Sequence, residues 1–227
     1  KNRYLFVAGH HDGKVTMMRL LEDGSIGDIA DGIFHKGMGR SIAMRSSKPH
    51  VDCVKLTPDQ KFLCAVDNGL DHIKIYRLDY ENGKMKLADI LRCPLESAPH
   101  MIRFSRDGRF AYVLYELLNQ VDVFSYELLD GEPHFEKVQS ITTMAPKDDD
   151  VCAASGMEVS PDGKYLYFTS DVVGGFGGKD LYRARVAGSD FGPMENLGPE
   201  INTTGDEMFP YVRDSVTIYF ASNGHPG

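Results

Sequence analysis

Four polar side chains recur at one place in a repeating pattern. Counting back seven residues from the aspartates of four related turns gives Asp52, His100, Ser155 and Glu207. If the four strands are equivalent, these residues form a ring near one opening. Such a set supports general acid–base chemistry, in which a carboxylate or imidazole activates water and a nearby cation steadies an oxyanion. The alternative is that strand starts are polar simply because they meet solvent. His50 and Asp206 lie close to the ring in sequence.

Other patterns carry less. His10 and His11 sit side by side in a turn and read as a solvated pair rather than as metal ligands. Cys53, Cys64, Cys93 and Cys152 show neither CxxC spacing nor a metal pattern, and buried thiols fit them better than disulfides. No metal and no cofactor is expected. The run "GGFGG" at 174–178 would cradle phosphate only ahead of a helix, yet "KDLYRARV" after it is β-patterned. It reads as a tight turn, with Asp180 bonding backbone at the strand entrance. No GxSxG elbow supports a nucleophilic serine.

The elements that must position these residues follow from a repeat. "TPDQKFLCAV", "SRDGRFAYVL", "SPDGKYLYFT" and "VRDSVTIYFA" place turn aspartates at Asp59, Asp107, Asp162 and Asp214, with spacings of 48, 55 and 52 residues. Asp bonds nearby backbone and Gly tolerates positive φ, so each unit is a turn between two strands. A third strand follows in Ile73–Leu78, Val121–Tyr126 and Asp180–Arg185, and a fourth in segments such as Met85–Arg92 and Phe135–Thr142. Four strands per roughly 50 residues predict an all-β fold, a β-propeller of four-stranded antiparallel blades forming one domain over 1–227.

With strands named A to D from the inside, the count is four A, five B, four C and four D. That describes four complete blades plus a surplus strand, or five with one incomplete. An unpaired edge at such a strand predicts self-association through the terminal strands. Three and five residues before each turn aspartate lie Leu56 and Val54, Phe104 and Ile102, Val159 and Met157, and Tyr211 and Phe209. Alternation puts these pairs on one face, packed between blades.

Composition sets outer limits. The 42% hydrophobic content supports a sizeable core, and the net charge of -8 argues against a nucleic-acid partner. No run of about 18 apolar residues exists to span a membrane.

Residues 1 to about 167 resemble the seven-bladed lactonase propellers of the 6-phosphogluconolactonase type. The resemblance rests on "KPHVDCVKLTPDQKFLCAVDNGLDHIKIYRL", "APHMIRFSRDGRFAYVLYELLNQVDVFSY" and "CAASGMEVSPDGKYLY". It implies hydrolysis of a sugar lactone without an obligatory metal, in the cytoplasm, with a small sugar-like ligand in a central channel. The residues it carries over are Arg45, His50 and Glu116; Asp52 replaces a second histidine of the family. Residues 168–227 instead resemble the TolB-like repeats of OmpA-associated envelope proteins, through "GGFGGKDLY", "NLGPEINT", "GDEMFPYV" and "YFASNGHPG". That resemblance implies a periplasmic binding module for glycan or protein. Together they predict a chimeric propeller scaffold without efficient catalysis, joined near "SPDGKYLYFTSD", with a lactone hydrolase and a periplasmic binding module as the alternatives.

Overall fold

The computed structural model describes residues 3–39, 48–142 and 155–226. These residues form seventeen β-strands in five antiparallel sheets. Strands β1 (Tyr4–Gly9), β2 (Lys14–Leu20) and β3 (Ile26–Phe34) make the first. The second runs β4 (Val51–Leu56), β5 (Phe62–Asp67), β6 (His72–Asp79), β7 (Lys84–Arg92). The third runs β8 (Pro99–Phe104), β9 (Phe110–Tyr115), β10 (Gln120–Leu129), β11 (Glu132–Thr142). The fourth contains β12 (Met157–Val159), β13 (Tyr165–Ser170), β14 (Asp180–Ala187) and β15 (Asp190–Asn196). The last pairs β16 (Glu207–Val212) with β17 (Ile218–Ser222). Three sheets are full blades in simple up-and-down order, as the repeat predicts.

One chemistry builds the turns after β4, β8 and β12. Thr57, Ser105 and Ser160 each donate a hydroxyl to the aspartate two residues on, at 2.6, 2.6 and 2.7 Å. Each aspartate then accepts a backbone N–H two residues further, from Lys61, Arg109 and Lys164. The left-handed position between is Gly108 (φ 74°) and Gly163 (φ 73°) in two turns, and Gln60 (φ 59°) in the other.

The chain divides into two compact units, Lys1–Ile102 with Leu128–Pro133, and Arg103–Glu127 with His134–Gly227. In the first unit β5 is buried along its whole length, because both of its faces meet apolar neighbours. Leu63 and Ala65 pack with Val15, Met17, Tyr76 and Met85 in that core. In the second unit Phe168, Val172, Tyr182 and Ala184 form a core cluster with Phe191 and Met194.

Two local irregularities move side chains off the faces that strict alternation assigns. On β4, Val51 pairs with Asp67 and Cys53 with Val66, so Asp52 is the extra residue of a β-bulge. On β16, Met208 pairs with Ala221 and Tyr211 with Tyr219, a second bulge. Phe209 there has φ 56°, and Pro210 and Val212 turn inward. Phe209 and Tyr211, expected between blades, are therefore exposed at 55% and 59%. A one-residue bulge reverses the faces of everything beyond it.

Candidate functional site

The described residues bring His50, Asp52 and His100 together in the first unit and add His10. The bulge on β4 aims Asp52 at two imidazoles. His100, at the start of β8, donates Nδ1–H to Asp52 Oδ2 at 3.1 Å. His10, just beyond β1, donates Nδ1–H to the other oxygen, Oδ1. The carboxylate is buried while the His10 ring is half-exposed. Burial pushes the Asp52 pKa up, but the hydrogen bonds and charge of His100 and His10 outweigh it and hold the group below the usual carboxylate value.

An ionised carboxylate only accepts, so both Nδ1 atoms must carry the proton, an assignment made from the hydrogen bonds. In the neutral His10 ring, Nε2 is then the basic atom. His50 completes the group. Its ring stacks on His10 with centroids 4.4 Å apart and planes 22° apart. Its Nδ1–H donates to the His10 backbone carbonyl at 3.0 Å. His11 meets His10 edge-on at 5.2 Å and makes the outer side of the cluster.

Arg45 lies outside the described residues. Glu116 is half-buried in the turn after β9, in the second unit. Ser155 is half-buried just before β12, in the same unit. Glu207 is fully buried and its carboxylate is occupied within that unit. It accepts Thr203 N–H at 2.8 Å, the Thr203 hydroxyl at 2.7 Å and the Ser222 hydroxyl at 2.6 Å. That bonding locks the loop before β16 to the end of β17. The "GGFGG" run is likewise a structural turn: Phe176 N–H donates to Asp180 Oδ2 at 2.7 Å. Gly178 N–H reaches the Gly205 carbonyl, and a Cβ on Gly177 would collide with the Thr203 oxygen.

Sequence reasoning set His10 aside as a solvated residue. The missing signal is the bulge at Asp52, which has no pattern in the sequence. Among the described residues no group of three or more His, Cys, Asp or Glu is arranged to hold a metal ion. Their side chains instead form a hydrogen-bonded acid–base cluster.

Residues 1–172 match the family described as "Lactonase, 7-bladed beta-propeller". The chain belongs to the lactonase propeller family. This lactonase-family chain is 29% identical to the 6-phosphogluconolactonase of Bacillus subtilis over 167 residues, 74% of the chain and 46% of that protein. It spans about half the length of the curated relatives it matches. Among solved structures it resembles the periplasmic gluconolactonase of Pseudomonas aeruginosa at 26% identity and TM-score 0.71, covering 86% of this chain and 53% of that one. A candidate 6-phosphogluconolactonase of Bacteroides uniformis overlays 98% of this chain and 67% of its own, with TM-score 0.72 and 23% identity.

These findings overturn the expected chimeric scaffold without efficient catalysis, and none of them supports its TolB-like part. The family match ends at residue 172, and the overlay on the Bacteroides uniformis structure shows that the following residues continue the same fold. The expected join near Tyr167 falls inside β13, whose pairing with β14 runs without a break from Tyr165–Arg185 to Ser170–Asp180. One ladder in steady register leaves no structural seam there. No described helix is long and apolar enough to cross a membrane.

Proposed function

We propose that this lactonase-family chain hydrolyses a sugar lactone of the 6-phosphogluconolactonase type, with His10 as the general base. The observation that carries this reading is the buried Asp52 carboxylate bonded to two imidazole Nδ1–H groups, one of them on a half-exposed ring. The arrangement fixes the His10 tautomer and stabilises the imidazolium that forms when it takes a proton. His10 Nε2 removes a proton from water as the water oxygen attacks the lactone carbonyl carbon. The tetrahedral intermediate then collapses by breaking the bond to the ring oxygen. That oxygen receives the proton from His10, giving a hydroxy acid. His50 holds the His10 ring from one side. Arg45, carried over by the family resemblance, is the cation we assign to steady the oxyanion.

The test is hydrolysis of D-glucono-1,5-lactone by the chain, with the spontaneous rate subtracted. His10→Gln is expected to lower kcat by about 10²–10⁴, the usual contribution of a positioned base. A His10→Gln protein with wild-type kcat would remove His10 from the mechanism.

A further inference from the structure

Behind the cluster lies a second, fully buried set of titratable groups that the proposed reaction does not use. His35, just past β3, donates Nδ1–H to Asp67 Oδ2 at 2.5 Å, and neither side chain is exposed. On the other side of the ring, the Tyr76 hydroxyl donates to His35 Nε2 at 2.9 Å. Burial, with the Asp67 charge, pushes the Tyr76 pKa up, so the hydroxyl keeps its proton and remains a donor.

This relay bonds the backbone of His50 and of Gly13, at the end of the His10–His11 turn. Asp67 Oδ1 accepts the His50 N–H at 3.0 Å and the Leu70 N–H at 3.1 Å. The His50 carbonyl accepts Asn68 N–H at 2.8 Å, so both peptide groups of His50 are held by the turn after β5. His35 N–H donates to the Gly13 carbonyl at 2.8 Å, which ties down the far end of the His10–His11 turn. The fit is close. A Cβ on Gly69 would overlap the Lys48 oxygen, and one on Gly13 would lie 2.7 Å from Pro49 Cβ. The His35–Asp67 pair thus joins three separate segments: His35 holds the turn 9–13, and Asp67 ties the segment 48–50 to the turn 67–71.

We propose that Tyr76, His35 and Asp67 are positioning residues that hold His50, and through its imidazole the His10 ring, in the orientation and Nδ1–H tautomer the reaction needs. This rests on the lactone-hydrolase reading for its purpose but not for its structural content. Charge-assisted bonds to a buried carboxylate suit the task, because they are short and directional. Second-layer partners of this kind orient a reacting imidazole without touching substrate.

The experiment uses the whole chain with 15N-labelled histidine. The ring-nitrogen resonances of His10 and His50 report tautomer without substrate, and kcat and KM for D-glucono-1,5-lactone are measured alongside. In the wild type both rings should read as Nδ1–H. Asp67→Ala is expected to give averaged tautomers at both rings and a kcat lower by about 10–100-fold, with KM changed much less. Asp67→Asn, which keeps an oxygen for the His50 N–H, should recover most of both signals. Should Asp67→Ala not fold, the pair His35→Leu with Asp67→Leu removes the buried charge together with its partner and carries the same expectations. Unchanged tautomers and a kcat within twofold of wild type in the folded variant would overturn the positioning role. Tautomer loss in a chain whose wild type shows no lactone hydrolysis would instead sink the lactone reading and leave the positioning role standing.

Discussion

Replacing Asp52 by Asn changes no volume but alters what two histidines can do. The carboxylate offers an acceptor to each of His100 Nδ1 and His10 Nδ1. An amide offers one acceptor and one donor, so one of the two rings must carry its proton on Nε2. If that ring is His10, the base is lost; if it is His100, the charge opposing the His10 imidazolium is lost. A carboxylate about 4 Å from an imidazolium at a partly exposed site contributes roughly 4 kcal/mol at an effective dielectric of 20. The half-exposed His10 ring brings that to the lower side, about 3–4 kcal/mol, which corresponds to a 10²–10³-fold fall in kcat. The assay is pH-stat titration of acid released from D-glucono-1,5-lactone, with near-UV circular dichroism to confirm folding. Acid unfolding offers a second readout. The Asp52 pKa is lowered on folding, so its contribution is present above the unfolded value of 3.8 and is lost as pH falls through the folded value. The stability gap between wild type and Asp52→Asn should therefore narrow below about pH 4. A folded Asp52→Asn protein with kcat within threefold of wild type would refute the His10–Asp52 reasoning.

Three further expectations concern the scaffold. Gly69→Ala drives a methyl into the Lys48 oxygen, so the backbone of 48–50 must move. Thermal unfolding should show a loss of about 1–3 kcal/mol, together with a fall in kcat. Gln60→Gly relieves a left-handed residue where the sister turns carry Gly108 and Gly163. It should be neutral to stabilising by up to about 1 kcal/mol in urea unfolding, and a loss beyond about 1 kcal/mol would contradict the turn equivalence. Glu207→Gln puts an amide where only donors point, costing about 2–3 kcal/mol at neutral pH. Although burial pushes the Glu207 pKa up, bonds from Ser222 and Thr203 lower it overall, so the difference should shrink as pH falls below about 4.5.

Strand grammar was legible because it is local. The turns at Asp59, Asp107 and Asp162 write their own hydrogen bonds within a few residues, and the count of four A, five B, four C and four D strands matches the seventeen observed. Asp52 and His100 were singled out for the same reason, since each sits seven residues before such a turn aspartate, whereas His50 came from the lactonase resemblance. The glycine-rich wording after Tyr167 differs from what precedes it, yet one continuous ladder accommodates both.

What needed tertiary structure is what depends on pairing between distant strands. The sequence by itself determined an all-β repeat, the turn chemistry, an apolar core and polar strand starts, because period-two alternation and Asp–Gly turns act within a few residues. Only the fold decided that Asp52 is a bulged residue, through its register against Asp67 and Val66. Only the fold set His10 beside Asp52, 42 residues away, and placed His35 against Asp67 across 32. It likewise exposed Phe209 and Tyr211 by inserting one residue into β16. A bulge costs one unpaired residue and re-aims one side chain, and the free energy that selects it lies in the partner strand and the packing around it.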